Sequence, residues 1–318
     1  MAAGVRELRR RIRGFKSTQQ ITKAMKMVAA ARLLKAQERA TAARPYSRKI
    51  DDMLRRVMAA HASAGSRAPG EAEASPVTGL MTAEALMSER TVRKAVYVVM
   101  TSDRGLSGNF NANLIKLAEV TMKDRQGVEV SVFPVGRKAF DFFAKRGYDL
   151  AGQIVPAGDE ATFAQARHLA HELTALFVSG KADEVNLVYS EFVNAMTNRP
   201  KVSRLFPIGG PAAGGDGETS QPDLAAGAAS GAEVDYIYEP SGPEVLSALL
   251  PRYIQVLVYR ALLETRASEH GARMTAMGQA TENASELIEK LTLDMNRARQ
   301  AAITREIAEI VGGAEALK

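Results

Sequence analysis

After Pro251 the sequence runs to Val311 without another proline or turn cluster, and only Gly312-Gly313 offers a stop. Those 61 residues predict one helix of roughly 90 Å at about 1.5 Å per residue. An element this long calls for a companion. Steps of three and four connect Tyr253, Val256, Arg260, Leu263, Ala267, His270, Met274, Met277, Thr281, Ala284, Ile288, Leu291, Met295, Ala298 and Ala302, the heptad spacing of a coiled-coil seam. The seam holds few large branched side chains and includes Arg260, His270 and Thr281, so it buries less apolar area than a zipper of Leu and Ile. A partner helix must share the load. Upstream, Pro243 fits a first-turn proline and Pro251 a kink. Gly271 and Gly278, seven apart, each cost about 1 kcal/mol relative to alanine. Either another backbone approaches closely there, or the helix is locally soft.

The N-terminus supplies the companion. From Gly4 to about Ala60 the apolar positions step by three and four through Val5, Leu8, Ile12, Phe15, Ile21, Met25 and Val28. Pro45 is expected to kink or break this helix near Arg44, leaving a clean stretch Gly4–Arg44 of roughly 60 Å. The simplest arrangement pairs the two ends antiparallel, with the longer C-terminal helix overhanging as a single strand. Residues 1–60 hold 16 Lys/Arg against 4 Asp/Glu, while the remainder holds 26 against 32, so the net charge of +6 arises at the N-terminus. Such an arm can meet nucleic acid, anionic lipid or an acidic protein surface, or can be merely solvated. Phe15 and Tyr46 are its only aromatic residues, too few to stack bases, so no nucleic-acid partner is expected.

The middle has a different texture. "KAVYVVMTS", "GVEVSVFPVG" and "DEVNLVYSEFV" read as strands, with helices at Asn111–Asp124, Arg137–Arg146 and Ala161–Val178. This alternation predicts an α/β layer with a largely parallel sheet, and "PKVSRLFPI" adds an edge strand. The expected fold class is therefore α/β: a long antiparallel coiled coil of the N- and C-terminal helices plus a central α/β (Rossmann-like) domain. The expected divisions are 1–60 (N-terminal helix), 61–90 (variable linker), 91–208 (central domain), 209–233 (low-complexity insertion) and 234–318 (C-terminal helix). The stretches from Ala62 and from Gly209 have the composition of mobile loops.

Nothing in the middle makes an enzyme. "TSDRGLSGNFN", Thr101 to Asn111, follows a strand as a ligand loop would. Its Gly105-Leu106-Ser107-Gly108 nevertheless has the wrong spacing for a dinucleotide fingerprint, and no Lys-Ser or Lys-Thr pair follows. "SGKAD" at Ser179 fails too, with alanine at 175 and at 182. The glycine turn thus reads as backbone geometry, with Asp103 a cap or turn-former and Arg104 a surface or interface charge. His168 and His171 lie one turn apart without further ligands, so no metal and no cofactor are expected. Absent cysteines exclude disulfides and thiolate chemistry, and no apolar run reaches the roughly 20 residues that span a bilayer.

Three segments carry a family resemblance: "STQQITKAMKMVAAARLLKAQ" (Ser17–Gln37), "TSDRGLSGNFN" (Thr101–Asn111) and the run from Ala267 to Leu317. Together they resemble the gamma subunit of the F-type rotary ATP synthase, over nearly the whole chain and in the family's order. The resemblance implies a non-catalytic central-stalk rotor. Its coiled coil would stand inside a ring of three alpha and three beta subunits, and its α/β foot would touch epsilon and the membrane c-ring. Nucleotide would bind on the surrounding subunits and not on this chain. Ser107 and Asn109 depart from the family's frequent cysteine and glycine, and Gly271 and Gly278 are further departures. The insertion after Ile208 resembles those of alphaproteobacterial members, and the chain's start near the family's mature start implies a bacterial protein, peripheral on the cytoplasmic side of the inner membrane.

The resemblance also assigns contacts. Lys23, Lys26, Arg32 and Lys35 fall where acidic lever segments of beta sweep past, and Met25 falls where an added positive charge upsets coupling. Arg273, Arg299, Gln300 and Thr304 match positions that hydrogen-bond to the catalytic ring. Read alone, Met25 is a seam residue and the other four a polar face.

Overall fold

The computed structural model describes residues 2–64, 85–88, 90–158, 160–208 and 242–315. They form α1 (Ala2–Ala64), β1 (Lys94–Met100), α2 (Phe110–Lys123), β2 (Glu129–Val135), α3 (Arg137–Lys145), α4 (Phe163–Val178), β3 (Glu184–Phe192), β4 (Asn198–Phe206) and α5 (Gly242–Glu315). The loop-like stretch from Ala62 lies outside the described residues beyond Ala64, as does the 209–233 insertion. Two compact units result: residues 1–31 with 273–318, and residues 32–272.

In the second unit a four-stranded sheet has the order β2-β1-β3-β4. Strand β1 runs parallel to both neighbours, with Lys94 opposite Glu129 and Ala95 opposite Glu184, while β4 pairs antiparallel at the edge. Pro134 and Pro200 sit in the two edge strands, where a missing N–H breaks no central ladder. Side chains alternate across β1. Ala95, Tyr97 and Val99 join a core with Phe110, Leu114 and Phe143 of α2 and α3, whereas Val96, Val98 and Met100 join Leu54, Leu173 and Tyr253 of α1, α4 and α5. Helices on both faces explain why β1 reads as an unbroken apolar run.

Loop chemistry fixes the helix starts. Thr162 accepts from the backbone N–H of Gln165, whose side chain accepts from the backbone N–H of Thr162, a reciprocal cap that opens α4. Ahead of α3, Gly136 has φ 100°, and a Cβ there would stand 2.4 Å from the carbonyl oxygen of Thr101. Only glycine fits.

The first unit is a helix pair. Gln19 Nε2 donates to Ser285 Oγ at 2.7 Å, the Thr22 and Thr281 hydroxyls lie 2.8 Å apart, and the Lys26 side chain lies 3.6 Å from where a Cβ of Gly278 would be. As one number rises the other falls, which makes the pair antiparallel with a residue sum near 304. In that register α5 outlasts α1 beyond about position 302. There Ile303, Ile307, Ile310 and Val311 are 48–72% exposed.

Three local expectations fail. Of the kink or break expected at Pro45 the break does not occur: helix α1 continues through it, because that residue is exposed and water can satisfy the freed carbonyl, while Ile50, Leu54 and Val57 beyond it are buried. Helix α5 passes Gly312-Gly313 to Glu315, since glycine weakens a helix without blocking it. Ile21 and Val28, expected on the seam, are 58% and 53% exposed. Their places are taken by Thr22 and Ala29, both buried. The α5 seam follows the expected positions, buried or half-buried at all but Arg260.

The two helix glycines separate. A Cβ on Gly271 would meet the Ala195 carbonyl oxygen at 3.0 Å, so another backbone does approach there; Gly278 faces only the lysine side chain, at ordinary contact distance. Gly278→Ala is therefore expected to raise unfolding stability by up to about 1 kcal/mol, and Gly271→Ala to give no such gain or a loss. Equal gains in urea unfolding of the two variants would contradict the assignment.

Candidate functional site

The site is a surface. Along residues 1–31 the inner positions are Val5, Leu8, Ile12, Phe15, Gln19, Thr22, Met25 and Ala29, all buried or half-buried. The Thr22 hydroxyl also reaches its own helix at Gln19 O (3.1 Å), and that of Thr281 reaches Met277 O (2.7 Å), so polar groups sit in the seam without loss of partners. With little apolar bulk at that level, large apolar side chains turn outward: Ile21, Met27 and Val28 on α1, Leu287 and Leu293 on α5.

Of the residues expected to couple, Lys23, Met25, Lys26, Arg273, Arg299, Gln300 and Thr304 lie on this unit, and Arg32 and Lys35 on the second. Lys23 and Lys26 are exposed, and among the described residues neither forms an ion pair within the chain. Met25 is half-buried, consistent with its seam position. Arg299, Gln300 and Thr304 are exposed near or on the overhang. Arg273 differs from them, being only 9% exposed.

In the second unit, Lys35 and Arg39 of α1 are already engaged. Lys35 Nζ meets Glu160 Oε1 at 2.8 Å and Arg39 Nη2 meets Glu160 Oε2 at 2.8 Å. Hydrogen bonds from Lys35 and Arg39 hold the Glu160 carboxyl down at about 2. Glu160 carries no motif and stands 125 positions from Lys35, so sequence reading missed it. Its only forewarning is the excess of positive charge on α1.

The glycine turn is a clamp. Asp103 accepts three backbone N–H groups, from Arg137 (2.9 Å), Ala157 (3.1 Å) and Gly158 (2.9 Å), which ties the turn to the start of α3 and to the loop before Glu160. Asn111 accepts from the backbone N–H of Ser102 at 3.0 Å and donates to Ser107 Oγ at 3.2 Å. Leu106, at φ 63°, points outward and is 61% exposed.

A cavity of about 710 Å³ lies between α1 and α5 and is walled by Tyr46, Phe163, Phe192 and Tyr259. Its charges balance, Arg48 and Arg260 against Asp51 and Glu264, and burial pushes the Glu264 carboxyl up despite Arg260 at 2.8 Å. No residue of the glycine turn lines it. His168 and His171 are exposed on α4, and among the described residues no group of three metal-binding side chains gathers.

A family model described as "ATP synthase" matches residues 4–317. The ATP synthase gamma chain of Desulforamulus reducens is 48% identical over 316 residues, 99% of this chain and 100% of that protein. That of Symbiobacterium thermophilum is 47% identical over the whole of both chains. These relatives are Firmicutes, so the expected alphaproteobacterial likeness is not what they support. Among solved structures, a chain of the Euglena gracilis mitochondrial ATP synthase, OSCP/F1/c-ring in rotational state 3, matches with TM-score 0.65 at 18% identity, covering 100% of this chain and 95% of that one. At that identity it speaks for the fold.

The Glu160 pairs have a defined pH window. Because the folded-state value lies below the ordinary 4.5, their contribution is complete above about 4.5 and is lost as pH falls toward about 2. The Glu160 carboxyl, followed by NMR titration, is expected to have its midpoint near 2 and to return toward 4.5 in Lys35→Ala/Arg39→Ala; a wild-type midpoint near 4.5 would contradict the pairing.

Proposed function

Because the chain belongs to the ATP synthase gamma-chain family, we propose that it is the central-stalk rotor of a proton-translocating F-type ATP synthase, coupling rotation of the membrane ring to conformational change at the catalytic beta subunits. It performs no catalysis of its own. The partners are three alpha and three beta subunits around the helix pair, with epsilon and the c-ring at the α/β foot. The working division is 1–60 and 234–318 as shaft, 91–208 as foot, with 61–90 and 209–233 as variable segments. Its place is peripheral, on the cytoplasmic side of a bacterial inner membrane.

One observation carries this reading: a thin, partly polar helix seam whose outward faces bear apolar side chains and lysines that form no ion pair among the described residues, continued by an overhang with Ile303, Ile307 and Ile310 in solvent. Such a pair is built to be surrounded. A rotor can bias a catalytic site only by interacting differently with its open and closed states, so its contacts must be specific to angle and easily broken. Lys23 and Lys26 meet that need, since a screened surface pair is worth about 0–1 kcal/mol. Arg299, Gln300 and Thr304 offer the ring exposed hydrogen-bonding groups at the upper end of the shaft. Met25 is half-buried beside Lys26, and a new charge there is expected to disturb both seam and partner. Arg273 is buried and so less open to the ring than the other three.

The test is reconstitution with alpha and beta subunits. Alanine at both Arg299 and Gln300 is expected to leave assembly intact and to lower steady-state ATPase roughly two- to tenfold, the range for one or two lost hydrogen bonds. Met25→Lys in the whole enzyme is expected to assemble and to make less ATP per proton. Wild-type ATPase in the first variant, or unchanged coupling in the second, would contradict these assignments.

A further inference from the structure

Beside the Glu160 pairs lies a cavity of about 240 Å³ lined by Arg32, Lys35, Arg39, Arg266, His270 and Glu160 among others. Its charges are unequal. Arg266 is answered by Glu269 at 2.6 Å, both buried, whereas Lys35 and Arg39 share one carboxylate, each taking one of its oxygens at 2.8 Å. The carboxylate stands at the mouth, with 49% of the Glu160 side chain in solvent, beside 57% for Lys35 and 35% for Arg39.

Glu160 is presented by a fixed backbone. Asp103 accepts the N–H groups of Ala157 and Gly158, Gln165 Nε2 donates to the carbonyl of Ala157 at 3.1 Å, and the Thr162 cap starts α4 two residues later. None of those anchors uses the Glu160 side chain. The loop would hold its shape with the carboxylate gone, which separates the charge from the scaffold.

We propose that the mouth of this cavity is a carboxylate-binding site for acidic side chains on the subunits surrounding the shaft, and that Glu160 is its intramolecular occupant. This rests on the rotor reading above. Two cations facing one half-exposed anion make a site that an incoming carboxylate can enter by exchange. Glu160 swings into water as the visitor takes Lys35 and Arg39, and returns when it leaves, so neither cation is stripped of a partner at any stage. Both halves of the exchange are screened surface pairs of similar strength, which keeps the step reversible. Glu160 thus acts as a competitor that weakens the grip of this part of α1 on its acidic surroundings. Because its carboxyl is ionised throughout the neutral range, Glu160 competes as an anion there, and the competition weakens with salt.

The test is Glu160→Gln in the full chain, assembled with alpha and beta subunits and passed through gel filtration across a KCl series. The variant is expected to bind roughly two- to fivefold tighter at low salt, with a steeper loss of binding as salt rises, because Lys35 and Arg39 are then free to engage the partner. In a Lys35→Ala/Arg39→Ala background the same substitution is expected to change nothing. Identical affinity and salt dependence for wild type and Glu160→Gln would overturn the proposal, as would an effect that persists without Lys35 and Arg39. Failure of the wild-type chain to join alpha and beta at any salt would instead overturn the rotor reading on which it rests.

Discussion

The antiparallel pairing of residues near Thr22 with residues near Thr281 is the constraint from which the first unit follows. Two hydroxyls 2.8 Å apart, with Gln19 on Ser285 close by, fix which residue of one helix stands beside which of the other. A seam made only of leucines would hold more firmly and specify less, since apolar contacts tolerate slippage along the axis. Here each hydroxyl keeps a carbonyl of its own helix within reach, so burying it costs little and misplacing it gains nothing.

The same choice turns the remaining apolar residues outward. With Thr22 and Ala29 inside, Ile21 and Val28 face solvent, and the register leaves α5 alone beyond about position 302. These are features of a part made to be enclosed. The second unit answers a different need, holding α1 and α5 against one face of a sheet whose other face is closed by α2 and α3. Its glycine turn, which superficially suggests phosphate binding, spends its acid on three backbone N–H groups and has no share in the cavities.

Much of this was legible in the sequence because period and composition report local geometry. Both long helices, the largely parallel sheet with its edge strand and the α5 seam follow from spacing and composition, whereas the antiparallel run of that edge strand does not. Face selection on α1 did not, because Ile21-Met25-Val28 and Thr22-Met25-Ala29 satisfy the same period and only the partner's small residues decide between them. Prolines and glycines misled where solvent could repay them: Pro45 is exposed and the helix continues, and Gly312-Gly313 fails to end α5. Glu160 was invisible because its meaning is a contact across 125 residues. Asp103 was legible as a turn-former, though not the reach of its carboxylate to Ala157 and Gly158.

The native chain has no cysteine, so a disulfide can report the central pairing without background. Thr22→Cys/Thr281→Cys replaces hydroxyls 2.8 Å apart with thiols placed to meet, and mild oxidation of the folded chain should link them nearly completely within one molecule. Thr22→Cys with Ala302→Cys, some twenty residues out of register, should stay reduced. Failure of the first pair to close, or equal closure of the second, would contradict the antiparallel register on which the account depends.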